Sequence, residues 1–222
     1  MPQLNQHPAS SSIEMDLSRP GSNGRLETDL WISFLNGSDT ALGKIYRAYS
    51  NKLFSYGRQF TSNEMLIQDA IQDVFFKLVD NRAKLSVAQS VKFYLFSSFR
   101  RILLRSIKRE RKYVDNNGDG EAFYFLVDED HFTMDALLNK KQKNKVKEAC
   151  NELTVRQREM LNLRFFENLG YAEIAEMLEM SNAKTVRTML YRALGKLSEK
   201  LSPYKSTLLS ILFTVGTYPF KY

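Results

Sequence analysis

The sequence predicts an all-α fold of two small helical domains joined by a flexible acidic linker. Apolar residues recur at three- and four-residue spacing through most of the chain, and no stretch shows the period of two that a half-buried strand requires. Between two basic, helix-patterned segments, Tyr113 to Asp135 is turn-rich and acidic, which separates two cores. At 222 residues, 43% hydrophobic, the chain is long enough for one large domain or two small ones.

Residues 1–25, rich in Pro, Ser, Asn, Gln and Gly without a sustained period, are expected to be a disordered segment. A short helix from Thr28 to Asn36 should bury Trp31, Phe34 and Leu35 and end at Asn36-Gly37. Asp39 is placed to cap a second helix, whose apolar positions Leu42, Ile45, Tyr46, Tyr49, Leu53 and Phe60 run toward Thr61-Ser62-Asn63. The third is the most regular, with Ile67, Ala70, Ile71, Val74, Phe75, Leu78 and Val79 on one side. Its other side carries Gln68, Asp69, Gln72, Asp73 and Phe76. A bulky ring among acids and amides reads as an interface, although single exposed apolar residues are ordinary. A loop from Asn81 to Ser90 holds Arg82 and Lys84.

From Val91 to Lys112 one helix carries three kinds of surface. Val91, Leu95, Phe99, Ile102 and Ile107 make a core face, while Arg101, Arg105, Lys108 and Lys112 follow i, i+4, i+7, i+11 as a cation stripe. Phe93 and Phe96 fall off the apolar stripe, near Lys92 and Arg100. Rings beside cations suit unpaired bases, with the cations on phosphates; the alternative is a solvated helix end whose two rings finish a core. A formal charge of +7 favours a polyanionic partner but carries no sequence specificity.

The linker acids Asp119, Glu121, Asp128, Glu129 and Asp130 fit either a mimic of a nucleic-acid strand or a solvated tether. His131 has no companion at ligand spacing, so no metal is expected there. The helical period returns at Leu137 in a Lys-rich helix reaching Leu153, and Thr154 with Gln157 forms a capping box for the next, with Leu161 and Phe165 on its inner face. Glu167 to Gly170 then turn the chain into a short helix, Tyr171 to Leu178, burying Ile174, Ala175 and Leu178. After a turn at Glu179 to Asn182, the last helix is capped by Ser181 or Asn182. It buries Val186, Leu190, Ala193, Leu194, Leu197 and Leu201, leaving Lys184, Arg187, Thr188, Tyr191, Arg192 and Lys196 outward. This is a helix-turn-helix pattern, in which cations near the helix start reach base edges and those farther along reach phosphates. Two antiparallel helices with a solvated basic face are the bland alternative.

No Gly-rich phosphate loop, nucleophile and base pair, or metal set is present, so no catalytic residue and no cofactor are expected. Cys150 is the single cysteine, read as a small buried hydrophobe, and without a secretory signal pattern the expected compartment is the cytoplasm. The apolar run from Leu208 to Val215 is too short for a membrane span; it is expected to pack on the second domain, or else to dock a regulator.

Three blocks in order, QDAIQDVFFKLV from Gln68, FYLFSSFRRILLRSIKRERK from Phe93, and LTVRQREMLNLRFFENLGYAEIAEML from Leu153 followed by KTVRTMLYRALGKL, resemble the extracytoplasmic-function group of the sigma-70 family. The resemblance implies a sigma region 2 domain over 26–112, a linker over 113–135, a sigma region 4 domain over 136–202 and a tail over 203–222 outside it. It implies that Asp69, Gln72, Asp73 and Phe76 dock on RNA polymerase core. Arg82, Lys84, Phe93, Phe96, Arg100, Arg101, Arg105, Lys108 and Arg109 would melt and read the minus-ten element. Lys184, Thr185, Arg187, Thr188, Tyr191 and Arg192 would read the minus-thirty-five element. It further implies promoter DNA and an anti-sigma protein as partners, no small-molecule substrate and no membrane insertion. The family usually has a glycine near Glu179. A stand-alone helix-turn-helix regulator is the alternative, but it leaves the face of Gln72, Asp73 and Phe76 unexplained.

Overall fold

The computed structural model describes residues 23–88, 90–114 and 140–202, and all its regular elements among them are helical. Helix α1, Asn23–Leu35, starts five residues earlier than the sequence pattern indicates, so residues 23–25 are helical rather than part of a disordered segment. Leu30, Trp31 and Phe34 anchor its inner side, and packing of that stripe carries the winding back past Gly24 despite the low helix propensity of glycine. Residues 1–22 lie outside the described residues, as do 115–139 and 203–222, so the expectations for the linker and tail find no structural counterpart.

Helix α2, Asp39–Gly57, is capped by Ser38 rather than Asp39: the Ser38 hydroxyl accepts from the Ala41 amide at 3.2 Å. A capping residue must be extended, as Ser38 is, whereas Asp39 is already helical and its charge sits in the first turn, where the helix dipole favours it. Helix α3, Glu64–Asp80, is capped by Asn63, which accepts from the Leu66 amide and donates to Glu110 at 2.8 Å. After a 3-10 turn at Arg82–Lys84 comes helix α4, Val91–Val114, two residues longer than expected.

α1 packs on α2, α3 packs on α4, and α2 lies against both. Gly57 permits that close crossing, since a Cβ there would stand 2.7 Å from Ile67 Cγ2 and 2.9 Å from Phe99 Cζ. The buried row of α4 is Leu95, Phe99, Leu103 and Ile107, an unbroken i, i+4 series. Leu103 therefore takes the place expected for Ile102, which is only half-buried. Val79 and Tyr46, both read as inward, are exposed, Tyr46 lying edge-on to Phe75.

The second domain comprises α5, Lys140–Asn151; α6, Val155–Leu161; α7, Tyr171–Met177; and α8, Ala183–Lys200. Thr154 and Gln157 make the capping box, and Asn182, not Ser181, caps α8 by accepting from the Thr185 amide at 2.9 Å. Between α6 and α7 the chain forms a π-helical turn, Asn162–Phe166, which the helical period of the sequence does not disclose. The Glu167 amide donates to the Asn162 carbonyl and the Leu169 amide to the Leu163 carbonyl, and Asn168 reverses the chain at φ 54°. Among the described residues no helix is long and apolar enough to cross a membrane.

Candidate nucleic-acid interface

Core packing of α3 against α4 turns Asp69, Gln72, Asp73 and Phe76 to solvent, as their spacing requires. Phe76 is 73% exposed and is not completing any core. Leu66, Asp69, Gln72 and Asp73 of α3 line a groove of about 450 Å³ with Ser106, Arg109 and Glu110 of α4. Arg109, expected with the DNA-facing cations, thus shares a groove with the acids of α3.

Arg101, Arg105 and Lys108 project from α4 into solvent as one stripe. Lys84 is exposed, but Arg82 is engaged within the domain: its guanidinium pairs with Asp39 at 3.0 Å and lies 4.8 Å from the centroid of the Phe34 ring. An arginine stacked and paired in this way braces α2 and the start of the loop.

The third face of α4 differs from expectation. Phe93 is half-buried and Phe96 has no exposure at all; its ring packs 5.3 Å from that of Tyr56. Lys92 and Arg100, on the same side of α4 as Phe96, reach the second domain, whereas Phe96 itself packs against Tyr56 of the first. The Arg100 guanidinium donates to both carboxylate oxygens of Glu159, at 2.7 and 3.3 Å, and the Tyr56 hydroxyl donates to the same carboxylate at 2.7 Å. Lys92 donates to the Glu167 carbonyl at 2.9 Å. The seam is desolvated, with Arg100 and Glu159 side chains only 14% and 4% exposed. Burial, followed by the Glu159 charge, pushes the Tyr56 hydroxyl well above its ordinary range. Burial also pushes the Glu167 carboxyl from 4.5 to about 7 against the opposing pull of Lys92 and Lys52. Neither glutamate stands out in the sequence, because on α6 and its following turn they look like ordinary surface acids.

On α8, Val186, Leu190 and Ala193 are buried, so Lys184, Arg187, Thr188, Tyr191 and Arg192 face outward. Thr185 is half-buried and its hydroxyl bonds to Asn182 and Ser181, which gives it a place in the cap as well as at the helix start. Tyr171 lies between two guanidiniums, Arg164 at 4.8 Å and Arg187 at 5.1 Å from its ring centroid. Glu179 turns the chain between α7 and α8 with φ 52°. Cys150 is buried, and its thiol is pushed up to about 12 by that burial.

Comparison with known families matches residues 45–113 to Sigma-70 region 2 and residues 143–197 to Sigma-70 region 4. Among curated proteins, RNA polymerase sigma factor SigV of Bacillus subtilis (strain 168) is 26% identical over 135 residues, covering 61% of this chain and 75% of the relative. RNA polymerase sigma factor YlaC of the same organism is 25% identical over 164 residues, covering 71% and 90%. Among solved structures, CnrH in complex with the cytosolic domain of CnrY superposes with a TM-score of 0.53 at 19% identity, over 80% of this chain and 97% of that one. The sigma factor RpoE in complex with the anti-sigma factor NepR from Bartonella quintana gives 0.53 at 20% identity, over 72% and 96%.

Proposed function

Because the chain belongs to the sigma-70 family, in the extracytoplasmic-function group of RNA polymerase sigma factors that recognise promoters, we propose a division of that work among three surfaces. Asp69, Gln72, Asp73 and Phe76 bind polymerase core. Arg101, Arg105 and Lys108, with Lys84 and Phe93, hold the minus-ten element and its unpaired strand, while Phe96 finishes the core against Tyr56 and Arg100 is paired with Glu159; Arg82 and Arg109 belong to the edges of that surface. Lys184, Thr185, Arg187, Thr188, Tyr191 and Arg192 read the minus-thirty-five element in a duplex groove. The domain bounds adopted are 23–114 and 136–202, with 115–135 as linker. The catalytic chemistry stays with the polymerase, so the chain is not itself an enzyme, and it works in the cytoplasm. An anti-sigma protein is a further partner, supported by the two superposed structures, each of which is a complex.

The observation that carries this reading is that two separate helices, α4 and α8, each anchored by its own core row, present basic outer faces in one chain. Anchoring matters because base readout needs donors held on a rigid element. Arg187 is the sharpest test. A lost bidentate base contact costs roughly 1–3 kcal/mol and relaxes preference at one position. Polymerase core carrying Arg187→Ala is expected, in promoter-library selection, to lose discrimination at the upstream element and keep it at the downstream one. Unchanged upstream preference with altered downstream preference withdraws the assignment of α8.

A further inference from the structure

We propose that Tyr171, the first residue of α7, is a positioning residue for readout of the upstream element: its ring holds the Arg187 guanidinium ready to meet a base edge. This rests on the base-reading role of Arg187 given above. Arg187 lies near the start of α8, exposed, with its guanidinium 5.1 Å from the centroid of the Tyr171 ring. Among the described residues it meets no carboxylate or carbonyl, so the ring is the contact that orients it. The kind of partner matters. A carboxylate takes up the N–H fork that would pair with a base, as Glu159 does to Arg100. A ring attracts the charge of the guanidinium without accepting its N–H groups in that bidentate manner, so the fork stays available. An arginine held in advance also gives up less rotamer freedom on binding than one that swings free.

Tyr171 suits this role because it is itself fixed. It begins α7 directly after Gly170, whose amide donates to the Glu173 carboxylate at 2.7 Å. A second guanidinium, that of Arg164, stands 4.8 Å from the same ring centroid and donates to the Leu169 carbonyl at 3.0 Å. Arg164 belongs to the π-helical turn, so the segment that departs from the ordinary helical period supplies the brace. The ring is half-buried and tied from behind, whereas Arg187 is exposed and tied only to the ring. The fixed group sets the direction of the free one.

The test uses polymerase core carrying the full chain, in promoter-library selection over the upstream element. Arg187→Ala first defines the position that Arg187 reads. Tyr171→Leu removes the ring and is expected to weaken preference at that same position roughly two- to fivefold, the weight of an exposed cation–π contact, and to leave the other upstream positions unchanged. Tyr171→Phe keeps the ring and is expected to restore the preference. In the double variant Tyr171→Leu with Arg187→Ala, the loss should be no greater than for Arg187→Ala alone, because the ring acts through the guanidinium. Where circular dichroism shows Tyr171→Leu to be misfolded, Tyr171→Met takes its place, its unbranched side chain adapting to the gap. A Tyr171→Leu defect spread evenly over all upstream positions overturns the proposal in favour of a packing role. A defect shared by Tyr171→Phe overturns it in favour of a direct contact by the hydroxyl. Unchanged preference in Tyr171→Leu, at a position that Arg187→Ala erases, overturns it and leaves the base-reading role of Arg187 standing. Intact upstream preference in Arg187→Ala overturns that role itself, and the positioning with it.

Discussion

The first domain is filled by rings, with Trp31, Phe34, Tyr56, Phe60, Phe96 and Phe99 all buried, whereas the described part of the second buries no ring and packs Met160, Leu161, Leu163, Ile174, Val186 and Leu190. Buried aromatic side chains remove about 150–250 Å² each from water, so four long helices around such a core make a stiff platform for α4. In the second domain α6 and α7 have seven residues each, well below the length at which helices persist alone. Their ends are correspondingly furnished: the Thr154 and Gln157 box, the Glu173 carboxylate on the Gly170 amide at 2.7 Å, and the Asn182 cap of α8. One domain is held from its middle and the other depends on its ends. The outer face of α4 is thereby held on a rigid platform, and that of α8 is tuned by local hydrogen bonds.

That contrast can be broken by mutation, because Trp31 is the only tryptophan and reports the first domain alone. The largest effect is expected from Phe99→Ala, which empties the contact between α4 and the Gly57 crossing. It should lower stability by roughly 3–5 kcal/mol and move the Trp31 fluorescence transition in urea to much lower midpoint. Asn182→Ala should cost about 1 kcal/mol, shifting the circular-dichroism transition while leaving that of Trp31 in place. If both probes shift together, the domains unfold as one unit, coupled through the bonds of Arg100 and Tyr56 to Glu159. The smallest effect is at Glu179. A left-handed residue other than glycine is strained, so Glu179→Gly should stabilise the second domain by up to about 1 kcal/mol, partly offset by the greater freedom of glycine in the unfolded chain. A lower thermal midpoint for this variant would mean that the Glu179 side chain supplies an interaction outweighing the strain.

The glycine that the family usually carries near this position finds its physical reason in the same turn: the backbone there is left-handed whichever residue stands in it.

By itself the sequence determined the helices, the capping box at Thr154, the outward set on α8 and the polar face of α3. Each of these follows from residues within a turn or two of one another, where periodicity and capping act. Sequence pattern also placed Lys92, Phe96 and Arg100 on a face of α4 apart from its main core row. Only the tertiary structure decided what covers that face. Arg100 meets Glu159 across 59 residues and Tyr56 meets it across 103. A helical period reports a side chain's angle about its own axis and carries no information about a second domain arriving from so far along the chain. The π-helical turn at Asn162–Phe166 was illegible for a related reason, since an i→i+5 bond breaks the very period by which helices are read.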